Sequence, residues 1–408
     1  MPKIALRDVS KTTIHGLKNI KYMIRVGFTI IDGKVNWMGG INYLKNLLYA
    51  ISQLEEKKIQ PVLFLGNNID NKIIQDFKDL AEIHQDSLFD RKSSKWIVYT
   101  FLRDVFKRNP AVNQIVEKYN IDAFSHSFIY GPDINCIKIN WIPDFQHVHL
   151  PKLYSKLHLL VRDYRLRSLA RYSDIVILSS YDALNDYKKF TPEYTDRARV
   201  IHFVSQTTSF EDKGAGYIKE KYKIKGRYFF LPNQFWAHKN HKVVFEAIKL
   251  AIETVPDITL ICSGHLNDDR NVKHIIELKT FIEKNKLQGN IVLLGLIPFG
   301  DVLLLMKYSI SIINPSYFEG WSSTVEESKS MGRNLILSDI PVHREQAPHQ
   351  VVFFHPDKPV ELADILIEKW EHEENIEQRS NIKEDDLTKR TIDFGGRFQS
   401  IILESTEA

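Results

Sequence analysis

Two glutamates, Glu319 and Glu327, stand eight positions apart in the stretch IINPSYFEGWSSTVEESKSMGRNLILSDIPVHREQ (312–346). An ionised carboxylate accepts charge-assisted hydrogen bonds from two neighbouring hydroxyls at once, which makes it a natural ligand for a sugar. Between the two acids the pattern is that of a strand, a tight loop and a helix start. An apolar run ends at Asn314–Pro315 and a loop follows through Gly320. Ser323 then reads as an N-cap with Glu326 three residues on, a capping box, and Gly332 as the C-terminal stop. A helix N-terminus offers an anion free backbone N–H groups and the positive end of a dipole. Helical side chains lean toward the N-terminus, so Glu327 can reach back over the loop. Two carboxylates flanking an anion-binding helix end would hold two sugars joined by a diphosphate. The plainer reading makes Glu319 a loop charge and Glu327 a partner of the helix dipole.

The elements around this segment decide whether such a site can exist. From residue 227 onward, short β-rich runs (RYFFLP, ITLICSG, NIVLLGLI, ISIINPS, NLILSD, VVFFHP) alternate with helical patterns such as HKVVFEAIKLAIETV. The strands are continuously apolar, as expected when helices cover both faces of a parallel sheet. The alternation predicts βαβ units wound right-handedly. The first half repeats the theme with MIRVGFTII, PVLFLGN, AFSHSF, CIKINWI, DIVILSS and VIHFV. The pattern breaks after Phe203, so the chain divides into an N-terminal domain (1–205), a linker (206–226), a C-terminal domain (227–375) and a tail (376–408). The tail opens with a charged patch and ends in a helical pattern interrupted by Gly395–Gly396. The expected fold is α/β, two Rossmann-like domains facing across a cleft, with the final helix packing back toward the first domain. Ligands of such sheets bind outside the carboxyl ends of the strands, which here means between the domains.

Composition agrees with two globular domains: 408 residues, 43% hydrophobic and 11% aromatic. No apolar run approaches the roughly 18–20 residues of a transmembrane helix, and the first sixteen residues lack the apolar core of a signal peptide. A cytoplasmic protein is expected. Cys136 and Cys262 each adjoin an apolar run and read as buried free thiols. Residues 1–205 carry 30 lysines and arginines against 21 acids, whereas the remainder carries 25 against 30. A basic first half points to an anionic partner. Nucleic acid is not expected, because no aromatic RNA-binding motif, zinc-finger spacing or run of five basic residues is present.

The FEGW motif, the seven residues between Glu319 and Glu327, and the following apolar strand with Ser338–Asp339 resemble the donor site of GT-B glycosyltransferases of family 4. The resemblance spans roughly residues 226–372. It implies that Glu319 lies by the transferred sugar and Glu327 binds the nucleotide ribose. The amides around Gly320, Trp321 and Ser322, with the Ser323 and Thr324 hydroxyls, would face sugar and diphosphate. The family's basic pair after the first strand of this domain falls on LPNQFWAHKNHKVVFEA (231–247). Lys239 matches its lysine, just before a helix N-terminus. The arginine position holds Asn233, with Gln234 beside it, which is a departure: an amide donates to phosphate but brings no charge. Gly295, Leu296 and Ile297 match the turn under the nucleobase.

On the N-terminal side, Gly39 and Gly40 lie between a strand and a helix, where the family approaches donor phosphate or acceptor. WIPDFQHVHLP (141–151) places Asp144, His147 and His149 after an apolar strand. Asp144 aligns with the acid of a His–Asp pair that the family carries near the anomeric centre, but Pro143 occupies the histidine position. The N-terminal contact thus stays open among these three residues. Two histidines at i and i+2 of a strand face opposite ways and have no third ligand, so a metal site is not expected there. The segment 151–174, rich in Arg and Leu, reads as a basic helix able to lie on an anionic bilayer.

The resemblance implies a retaining, metal-independent transferase without cofactor. It would move a sugar from a nucleotide-diphosphate donor, UDP or GDP, to a glycan or lipid-linked acceptor. Catalysis would rest on Glu319, Lys239 and Asp144. The setting it implies is surface-polysaccharide or O-antigen-type assembly, with the protein peripheral on the membrane's inner face. The rival readings are a nucleotide-sugar 2-epimerase of the same fold and a non-catalytic nucleotide-sugar-binding protein. A Rossmann dehydrogenase is disfavoured, since no G-x-G-x-x-G follows a strand.

Overall fold

Strands made of Val, Ile, Leu and Phe on both faces leave no side for water, and they assemble here into two wholly parallel sheets. The computed structural model describes residues 23–31, 38–127, 129–207, 211–268, 271–347, 351–372 and 384–407. The first sheet comprises β1 (Ile24–Ile30), β2 (Ile59–Leu65), β3 (Glu82–Gln85), β4 (Ala123–Ser125), β5 (Ile137–Ile142), β6 (Ile175–Leu178) and β7 (Ala198–Val200), in the order 3-2-1-4-5-6-7. The second comprises β8 (Phe229–Leu231), β9 (Leu260–Cys262), β10 (Ile291–Leu293), β11 (Ile312–Asn314), β12 (Leu335–Ser338) and β13 (Val351–Phe354), in the order 10-9-8-11-12-13. Every pairing is parallel. Both sheets therefore reverse direction beside their first strand, between β1 and β4 and between β8 and β11. Such a switch point opens a crevice at the carboxyl ends of the strands.

β3 escapes the apolar pattern because EIHQ is an edge strand with a polar outer row. Its Glu82 accepts from the Arg25 guanidinium on β1 at 3.0 Å. Within the expected linker, the helix Gly214–Tyr222 buries Ile218 among the second domain's Tyr228 and Phe230. The charged patch at 373–383 lies outside the described residues.

Gly395–Gly396 does not break the last helix, which runs unbroken over Glu384–Glu407. A Cβ on Gly395 would fall 2.5 Å from the Ala50 carbonyl oxygen, so the missing side chain lets this helix press against the helix Met38–Ser52. Phe394, Phe398 and Ile402 thereby join Val26, Phe28 and Leu47 in the first sheet's core. Gln399 fastens the contact, accepting from the Lys58 amide at 2.8 Å and donating to the Glu56 carbonyl at 2.9 Å.

The two halves are also tied near the cleft. Trp321 packs in the first sheet's core, donates Nε1–H to the Phe203 carbonyl at 3.2 Å and stacks on His202 at 4.4 Å. The Glu345 carboxylate accepts from the amides of Tyr181 (2.7 Å) and Asp182 (3.0 Å), at the start of the helix Tyr181–Phe190, and pairs with His202 at 2.7 Å. A carboxylate on a helix N-terminus is favoured by the dipole. Among the described residues no helix is long and apolar enough to cross a membrane.

Candidate functional site

The loops after β8 and β11 flank the switch point of the second sheet, and they carry Lys239 and Glu319. Lys239 ends a 3₁₀ turn, Ala237–Lys239, and Asn240 in the left-handed region (φ 52°) then starts the helix His241–Ala251. Its Nζ donates to Glu319 Oε1 at 2.6 Å, and the two side chains are only 14% and 9% exposed. Ser316 Oγ donates to the same oxygen at 2.6 Å. Burial opposes charge on Glu319, but Lys239 and the Ser316 hydroxyl outweigh it and hold the carboxyl down to about 2. An ammonium has three donors, so Lys239 keeps two for another anion. His343, buried behind the pair, meets the Ser338 carbonyl through Nδ1 at 2.9 Å, and burial pushes its imidazole below the usual range.

Glu327 is the opposite case. It sits in the helix Ser323–Ser330, is buried, and has no hydrogen-bond or ion-pair partner among the described residues. Burial alone pushes its carboxyl up to about 8. A buried acid left unpaired is costly to the fold, and a pair of ligand hydroxyls would satisfy it.

The helix is capped differently from the expectation. Ser322, not Ser323, is the N-cap, accepting from the Val325 amide, and Ser323 is exposed in the first turn. Glu326 does not return to the cap. It is instead buried against Lys329 (2.8 Å), Gln346 (3.0 Å) and Arg390 (3.2 Å). Gln346 also donates to the Ser322 carbonyl at 2.8 Å and accepts from its amide at 3.0 Å. The Ser322 amide is therefore not free to face a diphosphate, while among the described residues no partner engages the amides of Ser323 and Thr324. The C-terminal stop is as expected: Gly332 lies at φ 62°, and the Arg333 amide reaches back to the Ser328 carbonyl at 2.9 Å.

Asn233 is buried and both ends of its amide are engaged. Nδ2 donates to Asn314 Oδ1 at 3.0 Å, and Oδ1 accepts from the Thr324 hydroxyl at 3.1 Å. Asn233, Asn314 and Thr324 thus tie the β8 loop, β11 and the helix together. Gln234 accepts from the His265 amide at 2.9 Å. Gly295, at φ 70°, accepts from Gly264 N at 2.9 Å; Leu296 beside it is exposed, and Ile297 packs against the second sheet's core. The Trp321 side chain faces the first domain, so at most its backbone serves a ligand.

Across the cleft, Gly320 must be glycine, because a Cβ there would strike the Pro143 carbonyl oxygen and come within 3.1 Å of Asp144 Cβ. Asp144 accepts from Arg162 at 2.8 Å and from the Gln146 amide at 2.9 Å. Residues 146–149 are a helical turn rather than a strand, which sends the two histidines to different neighbours. His147 is buried and held by Arg162 (3.1 Å) and Asp163 (3.0 Å), and burial with the Arg162 charge pushes its imidazole down. His149 pairs with Asp186 at 2.7 Å and lies 4.9 Å, ring to ring, from Phe318, next to Glu319. The fold therefore brings Asp144 and His149 to the FEGW loop and turns His147 away. Gly39 and Gly40 are not in a loop but in the first turn of the helix Met38–Ser52.

Sequence reasoning missed Ser316, Gln346, His343 and His126. Ser316, three residues before Glu319, was detectable as a small hydroxyl residue in the same loop. Gln346 had no local signal, because its contact spans 24 residues. His126 closes β4 in the left-handed region (φ 52°), bonds Tyr43 at 3.0 Å, and is pushed down to about 3 by burial.

Comparison with known proteins follows the same division. Residues 217–386 match the family profile of the glycosyl transferases group 1. No curated protein matches the sequence. Among solved structures, HepE of Anabaena with UDP and glucose superposes with a TM-score of 0.69 at 14% identity, covering 93% of this chain and 100% of that one. A glycosyltransferase from Rickettsia africae gives 0.62 at 14% identity, covering 94% and 97%. The lipopolysaccharide outer core galactosyltransferase WaaB gives 0.58 at 14% identity, covering 94% and 100%. Residues 217–386 thus resemble the glycosyl transferases of group 1, and the whole chain carries the two-domain GT-B fold.

Proposed function

We propose that the protein is a retaining glycosyltransferase that uses a nucleotide-diphosphate sugar and needs no metal ion. The observation that carries this is the buried Lys239–Glu319 pair at 2.6 Å, set at the switch point beside the start of the 323–330 helix. Glu327 accepts from the ribose hydroxyls, which supply the partners its buried carboxyl lacks. The diphosphate lies against Lys239 Nζ and the Ser323 and Thr324 amides. As the anomeric C–O bond breaks, electrons pass to the departing phosphate oxygen, which takes the proton of the acceptor hydroxyl as that hydroxyl's oxygen bonds the anomeric carbon from the same face. The lysine charge and the helix end stabilise that oxygen where it forms, in place of a metal. Glu319 stays ionised at any working pH and is engaged by Lys239 and Ser316. It orients the sugar hydroxyls and the lysine rather than attacking the anomeric carbon, which suits front-face transfer. Asp144 and His149 stand on the acceptor side.

The HepE structure with UDP and glucose favours UDP as the nucleotide, and the name of WaaB favours a surface glycan or its lipid-linked precursor as acceptor. A panel of nucleotide sugars tested for protection against thermal unfolding decides the donor. Free ligand at about 100 times its dissociation constant adds roughly 2.7 kcal/mol of stability. A panel in which no nucleotide or nucleotide sugar shifts the melting temperature would remove the reading.

A further inference from the structure

The N-terminal domain exposes large apolar side chains where a soluble surface would hide them. On the helix Ser94–Phe101 and the π turn Leu102–Phe106 that continues it, Ile97, Val98, Phe101, Val105 and Phe106 are each more than half exposed. Their spacing puts Ile97, Val98, Phe101 and Val105 on one helical face. The wider π turn brings Phe106 onto Phe101, ring to ring at 5.7 Å. The helix Lys156–Tyr172 presents a second such face, with Leu157 at 71% and Leu160 at 68% exposure and Tyr164 one turn on. The faces adjoin: Lys107 Nζ bonds the Tyr164 hydroxyl, which in turn donates to the Asp104 carbonyl at 3.3 Å.

Charge selects the occupant. Setting aside Arg103, which is buried, and Arg162, which faces the cleft, residues 94–108 and 151–172 hold eight lysines and arginines against two aspartates. Both acids are engaged within the protein, Asp104 by Arg103 at 2.8 Å and Asp163 by His147 at 3.0 Å. An apolar ridge in a basic rim matches the interface of an anionic bilayer, where side chains enter the acyl boundary and cations meet headgroups. We propose that the segment 94–106 and the exposed face of the 156–172 helix form one docking surface for an anionic lipid bilayer. The inner face of the same helix supplies Arg162 to Asp144 and His147, so docking sets the membrane beside the acceptor side of the cleft. That consequence rests on the transferase reading; the docking itself does not.

The test is co-sedimentation of the full chain with phosphatidylcholine vesicles, with and without phosphatidylglycerol, alongside calorimetric titration with UDP. The protein is expected to sediment with anionic vesicles and to stay in solution with neutral ones. Phe101→Ser with Phe106→Ser removes two exposed rings at little risk to the fold. It should weaken partitioning about a hundredfold, roughly tenfold for each ring. Lys156→Glu with Arg165→Glu should weaken it and flatten its salt dependence. Absence of anionic binding, binding unmoved by the phenylalanine changes, or a dimer in solution that covers the patch would each overturn the proposal. Vesicle binding without UDP binding would uphold the surface and remove only UDP as the nucleotide of the transferase reading.

Discussion

Replacing Lys239 by methionine keeps the bulk of the stem and removes the ammonium that pairs with Glu319 and that the proposed transfer would use. Two effects follow, and the structure separates them. With Nζ gone, Glu319 keeps only the Ser316 hydroxyl, and the burial that Lys239 had outweighed drives the carboxyl toward its neutral form. Removing one partner of a buried pair costs about 3–5 kcal/mol, so Lys239→Met should unfold at lower denaturant. Adding Glu319→Gln should restore part of that stability, because no charge is then left stranded. The second effect is catalytic. Charge on the leaving phosphate grows in the transition state, so the lysine contributes more there than to the bound donor. Turnover should fall on the order of a hundredfold or more, with a smaller loss of donor affinity, and the second substitution should not restore it. Denaturation curves, calorimetric donor titration and the rate of nucleoside-diphosphate release from the donor give the three quantities. Near-normal turnover in folded Lys239→Met would refute the placement of the leaving group and with it the alignment of the site.

Glu327→Ala should weaken donor binding roughly two- to tenfold near neutral pH, the worth of about 0.5–1.5 kcal/mol for a hydrogen bond to the protonated carboxyl; unchanged affinity by calorimetry would take the residue out of the site. The same acid should mark the pH dependence of stability. Its folded carboxyl holds a proton up to about 8, whereas in the unfolded chain it loses it near the ordinary value of about 4.3, so stability drains as pH rises between these values and levels off above them. Glu327→Gln should flatten that descent in a series of melts. Glu319, held down to about 2, acts in the opposite sense, its contribution vanishing as pH falls from about 4.3 toward 2. Exhaustive chelation with EDTA should leave turnover intact, and loss restored by magnesium or manganese would contradict a lysine and helix end in the metal's place.

Alternation of apolar runs with helical patterns was enough to lay out most of both sheets, because a strand covered on both faces is almost wholly apolar and admits a polar residue only with an internal partner, as Asn140 has in Ser173. It passed over β3, whose edge position tolerates the polar EIHQ, and set the first sheet's other edge strand too late, on VIHFV (200–204), whereas β7 is Ala198–Val200. The glutamates of the FEGW segment and Lys239 were legible for a similar reason. Strand, loop and helix N-terminus are contiguous in sequence, so the chemistry they present is local. What the sequence left undecided were contacts made at long range. The Ser322 amide looked free until Gln346, 24 residues on, was found bonded to it. Gly395–Gly396 looked like a helix break until Ala50 was found against it. Asp144, His147 and His149 were equivalent candidates because one strand-like pattern held all three. A helical turn and the approach of Gly320 and Phe318 from the other domain separated them. Periodicity records which face of an element is buried, whereas partner identity depends on how two distant faces meet, and only the packed chain decides that.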